Sequence, residues 1–304
     1  MPKGLYAPTP RRYPFGLLKQ PFKLETFVYF FEEQTMILTD NFVYIHQPKT
    51  GGTFVTKMIC RLYKNRGYKT RLRRLLGAMV GDTGGGMLDT SKYGDKHSGC
   101  LKIPAPFKRK AICSTIRNPY DYYVSEYKFS WWKQYPEKVF YDANLVKQKY
   151  SDLNQVTFAD YLDLINQSHR YQAINTPHLE AESSIGWLSR RFLHLFARKP
   201  LETLLKTIDE TYIASKQYSQ DLFTVSFLRT ESLNQDLYEF LTRVGYKEAE
   251  LSFILESTKV KPPLPLGGLT RDGDGWQSYY KPELKKTVRE KERLLFSIFP
   301  EYDL

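Results

Sequence analysis

Phe42-Val43-Tyr44-Ile45-His46-Gln47-Pro48-Lys49-Thr50-Gly51-Gly52-Thr53 is the stretch from which the fold is read. Its opening residues are apolar, aromatic or β-branched almost without a break, the composition of a strand buried on both faces of a parallel sheet. Beyond Thr53, the residues Phe54, Val55, Met58, Ile59 and Leu62 recur at helical spacing, so the chain passes directly from strand to helix. The turn between them carries chemistry. Gly51 and Gly52 let the backbone approach a ligand and adopt conformations that other residues resist. Lys49 adds a mobile positive charge, and Thr50 and Thr53 add hydroxyl donors. Unpaired N–H groups at the start of the helix, together with its dipole, favour an anion at this point. Such a turn is a phosphate cradle.

A second strand-to-helix turn follows. Ala111 to Ile116 reads as another buried strand, and Lys108, Arg109 and Lys110 lead into it. Arg117 stands at its carboxyl end, where ligands bind in open α/β sheets. Pro119 suits the first turn of a helix, where a missing N–H is no loss. Tyr120, Tyr123, Val124, Tyr127 and Trp131 form one face of that helix, and Ser125 lies off it, able to turn toward a ligand. Two such turns, side by side, suit the two ends of a doubly phosphorylated nucleotide.

The order of residues within the first turn discriminates between families. A Walker A loop places its glycines before the lysine, whereas here Lys49 precedes Gly51 and Gly52. Pro48-Lys49-Thr50-Gly51-Gly52-Thr53 resembles instead the 5′-phosphosulfate loop of the sulfotransferases, particularly their carbohydrate and bacterial branch. Arg117-Asn118-Pro119 with Ser125 and Tyr127 resembles the family's 3′-phosphate motif, R-N-P-x-x-R-x-x-S-x-[YF], with one departure: Tyr122 stands where the pattern has a second arginine. The resemblance is concentrated in residues 42–60 and 97–127 and implies an α/β fold, a central parallel β-sheet flanked by helices. It implies 3′-phosphoadenosine 5′-phosphosulfate (PAPS) as sulfuryl donor and an acceptor hydroxyl, first of all on a carbohydrate. Pro48, Lys49, Thr50, Gly51, Gly52 and Thr53 would hold the 5′ end, and Arg117 and Ser125 the 3′-phosphate. Lys49 would also stabilise the leaving phosphate.

His97 is the expected general base. In carbohydrate sulfotransferases a histidine or glutamate from this part of the chain deprotonates the acceptor, and a base titrating near neutrality contributes roughly 10²–10⁴-fold. His178 and His194 are the alternatives, in segments that would wall the acceptor site. His46 is expected to pack at the end of the first strand, and His169 to lie on the surface.

The rest of the 304 residues shows neither a dividing linker nor an internal repeat, so a single domain over 1–304 is expected. Gly81-Asp82-Thr83-Gly84-Gly85-Gly86 lacks a preceding strand signal and reads as an excursion leading to His97. Residues 145–215 read as helices and loops in the region that the family uses for its acceptor. Val225 to Leu228 reads as a late strand, followed by a helix with Leu233, Leu237, Phe240, Leu241 and Val244 on one face. Between them, Arg229-Thr230-Glu231-x-Leu233 resembles the family's R-x-E-x-L element, for which a structural role is the simpler reading. Arg271 and Gly273, before Trp276, are secondary candidates for closing over the 3′-phosphate. Trp131 and Trp132 could stack on a sugar ring, although packing is the default for both.

Lysine and arginine number 45 against 33 acidic residues, a net charge of +12 that attracts anions at long range. Cys60, Cys100 and Cys113 are too few and too dispersed for a disulfide framework or metal site, which suggests a reducing compartment and no metal. The first forty residues hold no signal-peptide core and no membrane-spanning run, so a cytoplasmic enzyme is expected. Two other classes stand beside this reading. A nucleotide-dependent kinase would need ATP and Mg²⁺, and the lysine-glycine order tells against it. A non-catalytic basic adaptor for anionic glycans or nucleic acid would bind with steep salt dependence and no preference for a 3′-phosphate; the leading reading calls for no nucleic acid.

Overall fold

The computed structural model describes residues 36–65, 87–89, 99–140, 143–168, 184–258 and 275–303, all within one compact unit, Glu32–Leu304. Its centre is a five-stranded sheet in the order β3-β1-β2-β4-β5, formed by β1 (Met36–Thr39), β2 (Phe42–Ile45), β3 (Met87–Asp89), β4 (Ala111–Ile116) and β5 (Ser226–Arg229). β2, β4 and β5 run parallel, with Phe42 opposite Ala111 and Cys113 opposite Ser226. This is the parallel core that the apolar runs predict. Two further strands extend it: β1 pairs antiparallel with β2, and β3 antiparallel with β1. The β1–β2 hairpin closes over Asp40-Asn41, and the Thr39 hydroxyl fixes the turn by donating to the Phe42 carbonyl at 2.7 Å while accepting its N–H at 2.9 Å.

Phe42, Val43, Tyr44 and Ile45 are wholly buried because both faces of the sheet are covered. The helices include α1 (Gly52–Asn65), α2 (Pro119–Phe129), α3 (Phe158–Ser168), α4 (Trp187–Phe196), α5 (Leu233–Arg243), α6 (Glu248–Glu256), α7 (Pro282–Lys291) and α8 (Arg293–Ile298). On one face Phe42 and Tyr44 pack with α1, α5 and α6; on the other Val43 and Ile45 belong to a core shared with α2, α3, α4 and α8. The stripes read from the sequence are the buried ones. Phe54, Val55, Met58, Ile59 and Leu62 of α1 and Leu233, Leu237, Phe240 and Leu241 of α5 are all inside, each such side chain contributing about 1.5–3 kcal/mol.

Because β2, β4 and β5 are parallel, their carboxyl ends share one edge of the sheet. The Pro48–Gly51 turn, Arg117 and Thr230 therefore emerge side by side. Among the described residues no helix is long and apolar enough to cross a membrane.

Candidate functional site

The first turn has an unusual backbone. Lys49 has φ 64° and Gly51 φ 90°, both in the left-handed region. The Gly51 carbonyl accepts the N–H of Phe54 at 3.0 Å and of Val55 at 3.3 Å, which starts α1. The N–H groups of Gly51, Gly52 and Thr53 have no acceptor among the described residues. Three orphaned donors on a helix N-terminus are a feature that favours an anion.

The positive φ of Gly51 is the conformational demand expected of a glycine, and both glycines are also hemmed in by neighbouring side chains. A Cβ on Gly51 would lie 2.6 Å from Leu233 Cδ2, and one on Gly52 would lie 2.0 Å from His46 Cδ2. The close approach that excludes a side chain is therefore to the protein itself. His46 stacks on Tyr44, ring centroids 6.3 Å apart, and so packs at the end of β2 as expected. Thr50 also differs from its expected role. Its wholly buried hydroxyl donates to the Gln47 carbonyl at 2.7 Å and is bonded to the Thr115 hydroxyl of β4. This hydroxyl holds the turn together and is not available to a ligand. Thr53 is half-buried at the start of α1.

Arg117 joins the second turn to the first. Its Nη1 donates to the Lys49 carbonyl at 3.0 Å, and its Nε donates to Asp121 Oδ2 at 2.6 Å, with Nη2 on the same oxygen. A left-handed lysine costs on the order of 1–2 kcal/mol, which a hydrogen bond from a charged donor, worth about 1.5–3 kcal/mol, offsets. Of the five guanidinium N–H groups, three are used, leaving one on each terminal nitrogen for a further acceptor. Asp121 thus orients Arg117, and the i,i+4 spacing of the two residues was legible in the sequence. Asn118 Oδ1 accepts the Tyr120 N–H at 2.9 Å and caps α2, with Pro119 following as the first helical residue.

Farther along α2, Ser125 is buried at 2% exposure. Tyr122, in the position of the family's second arginine, is buried edge-on to Trp187, and its hydroxyl has no partner in the described structure. Burial pushes its phenol well above the ordinary range, with Arg191 and Arg117 working against the shift. It therefore stays a neutral phenol and supplies no positive charge. The Lys49 ammonium lies 3.2 Å from the centroid of Phe129, at the far end of α2. That contact draws the lysine across α2, a placement that no local sequence signal gives.

His97, His178, His169, Arg271 and Gly273 lie outside the described residues. The described chain resumes after His97 at Gly99, where a Cβ would be 2.6 Å from the His194 carbonyl of α4. Beyond Arg271 and Gly273, Trp276 stacks on Tyr120 with centroids 5.1 Å apart and planes within 12°. Tyr280 donates to the Tyr120 carbonyl at 3.0 Å, so this segment is anchored to the first turn of α2. Trp132 is buried against Tyr127, and Trp131 packs against Tyr135, which makes both of them packing residues. Among the described residues no group of three or more His, Cys, Asp or Glu side chains is placed to hold a metal ion.

A family model described as "Sulfotransferase family" matches residues 34–211, more than half of the 304-residue chain. Comparisons with curated proteins and with solved structures gave no significant match.

Proposed function

The chain belongs to the sulfotransferase family, and from that premise we propose that it transfers a sulfuryl group from PAPS to an acceptor hydroxyl, most favourably on a carbohydrate. The observation that carries the donor assignment is the 3.0 Å hydrogen bond from Arg117 Nη1 to the Lys49 carbonyl, which makes the two turns neighbours. The residues present fit such a donor. The orphaned N–H groups of Gly51, Gly52 and Thr53 suit its 5′ end, and the remaining N–H groups of Arg117 suit a 3′-phosphate. Ser125, on α2, would add a hydroxyl at this end, and Arg271 and Gly273 are the secondary candidates for closing over it.

The donor supplies the sulfuryl group, and the chain supplies position and charge. Lys49 leaves the Phe129 ring to neutralise the bridging oxygen of the leaving phosphate, while the turn's N–H groups hold the phosphate itself. His97 takes the proton from the acceptor oxygen as that oxygen attacks in line. Tyr122 leaves the 3′ end with less charge than the family pattern provides, so Arg117 carries more of the recognition.

Calorimetric titration tests the assignment. Adenosine 3′,5′-bisphosphate should bind much more tightly than AMP or than ATP with Mg²⁺, and Arg117→Ala should abolish that preference. Equal affinity for AMP removes the sulfotransferase donor reading, and a preference for ATP with Mg²⁺ supports a kinase instead.

A further inference from the structure

We infer that Thr230 is a positioning residue that sets the distance between the two turns, so that both phosphates of one nucleotide are gripped together. The inference rests on the donor reading above and adds to it a residue from outside both motifs. Thr230 follows β5, and its Oγ1 lies 2.9 Å from the Thr50 carbonyl and 2.9 Å from the Ile116 carbonyl. A hydroxyl has one proton, so these two acceptors share it, in a three-centre bond. The Thr230 N–H also donates to the Ile116 carbonyl at 2.9 Å. One acceptor lies within the 5′ turn, and the other immediately precedes Arg117.

Its neighbours reinforce the bracket. Glu231 Oε1 accepts the Asn118 N–H at 3.4 Å, while its Oε2 accepts from Tyr302 at 3.1 Å. Leu233 fills the space that a side chain on Gly51 would need. Residues 230–233 therefore touch the first turn at Thr50 and Gly51 and the second at Ile116 and Asn118. The short element after β5 is a spacer between the candidate phosphate sites, and it supplies none of their candidate ligand groups.

The physical consequence is a chelate effect. Once one phosphate of a nucleotide is bound, binding of the other is intramolecular, and its gain depends on the two sites being held at the span of the ligand. Loosening that span weakens two-point binding and leaves each one-point site intact. A general loss of structure weakens all ligands alike.

The experiment compares adenosine 3′,5′-bisphosphate, AMP and 3′-AMP by calorimetry on wild type, Thr230→Val and Thr230→Ser. Valine keeps the shape and removes the hydroxyl. We expect about fivefold to tenfold weaker bisphosphate binding in Thr230→Val, the scale of one hydrogen bond, with both monophosphates changed less than about twofold and serine restoring the wild-type value. Thr230→Ala gives the same reading should the valine variant not fold. Unchanged bisphosphate affinity, equal weakening of all three ligands, or a serine variant as weak as valine overturns the inference. A wild type that does not prefer the bisphosphate over AMP overturns the donor reading instead, so the two failures are distinguishable.

Discussion

Replacing Glu292 with alanine should destabilise the fold by about 3–5 kcal/mol, because it leaves several buried donors unpaired. Glu292 lies between α7 and α8 and is wholly buried. Its Oε1 accepts from the Tyr123 hydroxyl of α2 and from the Leu188 N–H at 3.1 Å; its Oε2 accepts from the Ser189 N–H and hydroxyl, each at 2.7 Å. Two of these donors are orphan N–H groups of the first turn of α4, so one carboxylate caps α4 and ties it to the helix of Ser125. The approach is close enough that a Cβ on Gly186 would lie 2.1 Å from Oε1. Alanine leaves three donors without an acceptor, at about 1–3 kcal/mol for each that water cannot reach, while the Tyr123 hydroxyl keeps Asn166 Oδ1 at 3.3 Å. Release of the desolvation penalty on the carboxylate brings the net down to the stated range. Glutamine keeps the Oε1 bonds and turns an amide N–H₂ toward Ser189, so a loss of about 2 kcal/mol is expected.

Burial also holds the Glu292 carboxyl above the ordinary carboxylate range, against the hydrogen bonds from Tyr123 and Ser189 that lower it. Between the unfolded and the raised folded value, the native state binds more protons than the unfolded chain. The contribution of Glu292 is therefore fully present at acid pH and is lost as pH rises through the folded value. Urea unfolding of wild type and Glu292→Gln across that window measures the difference, and the advantage of wild type should shrink as pH rises. An alanine variant within about 1 kcal/mol of wild type, or a wild-type advantage that grows with pH, would refute this account of the junction.

Other outcomes follow from the turn and from the proposed chemistry. Gly51→Ala should lower stability by about 1–3 kcal/mol in thermal melts, since φ 90° strains an L side chain and the new methyl meets Leu233. Thr50→Val should cost about 1–2 kcal/mol by the same measurement, because the Gln47 carbonyl and the Thr115 hydroxyl lose their partner. His97→Ala should lower turnover by roughly 10²–10⁴-fold while bisphosphate affinity stays unchanged in calorimetry; retained turnover would reject His97 as the base. Lys49→Met should lower kcat by about 10²–10³-fold, with a smaller effect on donor KM.

The parts of the fold legible in the sequence are those that depend on local pattern. β2, β4 and the stripes of α1 and α5 are visible because contiguous apolar residues repeat at a fixed period. β1 and β3 are not, since Met36–Thr39 and Met87–Asp89 are too short to establish a period and their pairing is set across the sheet. The conformational reason for Gly51 was legible and its φ of 90° agrees, yet the clash of a side chain there with Leu233 was not, because Leu233 lies far away in the chain. Thr50 looked like a ligand group because sequence cannot tell a hydroxyl facing solvent from one bonded to the preceding carbonyl. Glu292 stands between two charged residues, Lys291 and Arg293, and only tertiary packing buries it. For Arg229-Thr230-Glu231 a structural role is the simpler reading of each side chain, while the contacts of Thr230 and Glu231 with the two turns become apparent only in three dimensions.

The central claim is that one nucleotide spans both turns, and a crystal structure with adenosine 3′,5′-bisphosphate bound tests it most directly. The account predicts the 5′-phosphate within hydrogen-bond reach of the N–H groups of Gly51, Gly52 and Thr53, with the 3′-phosphate on the terminal nitrogens of Arg117. A nucleotide bound with either phosphate away from its turn would contradict it.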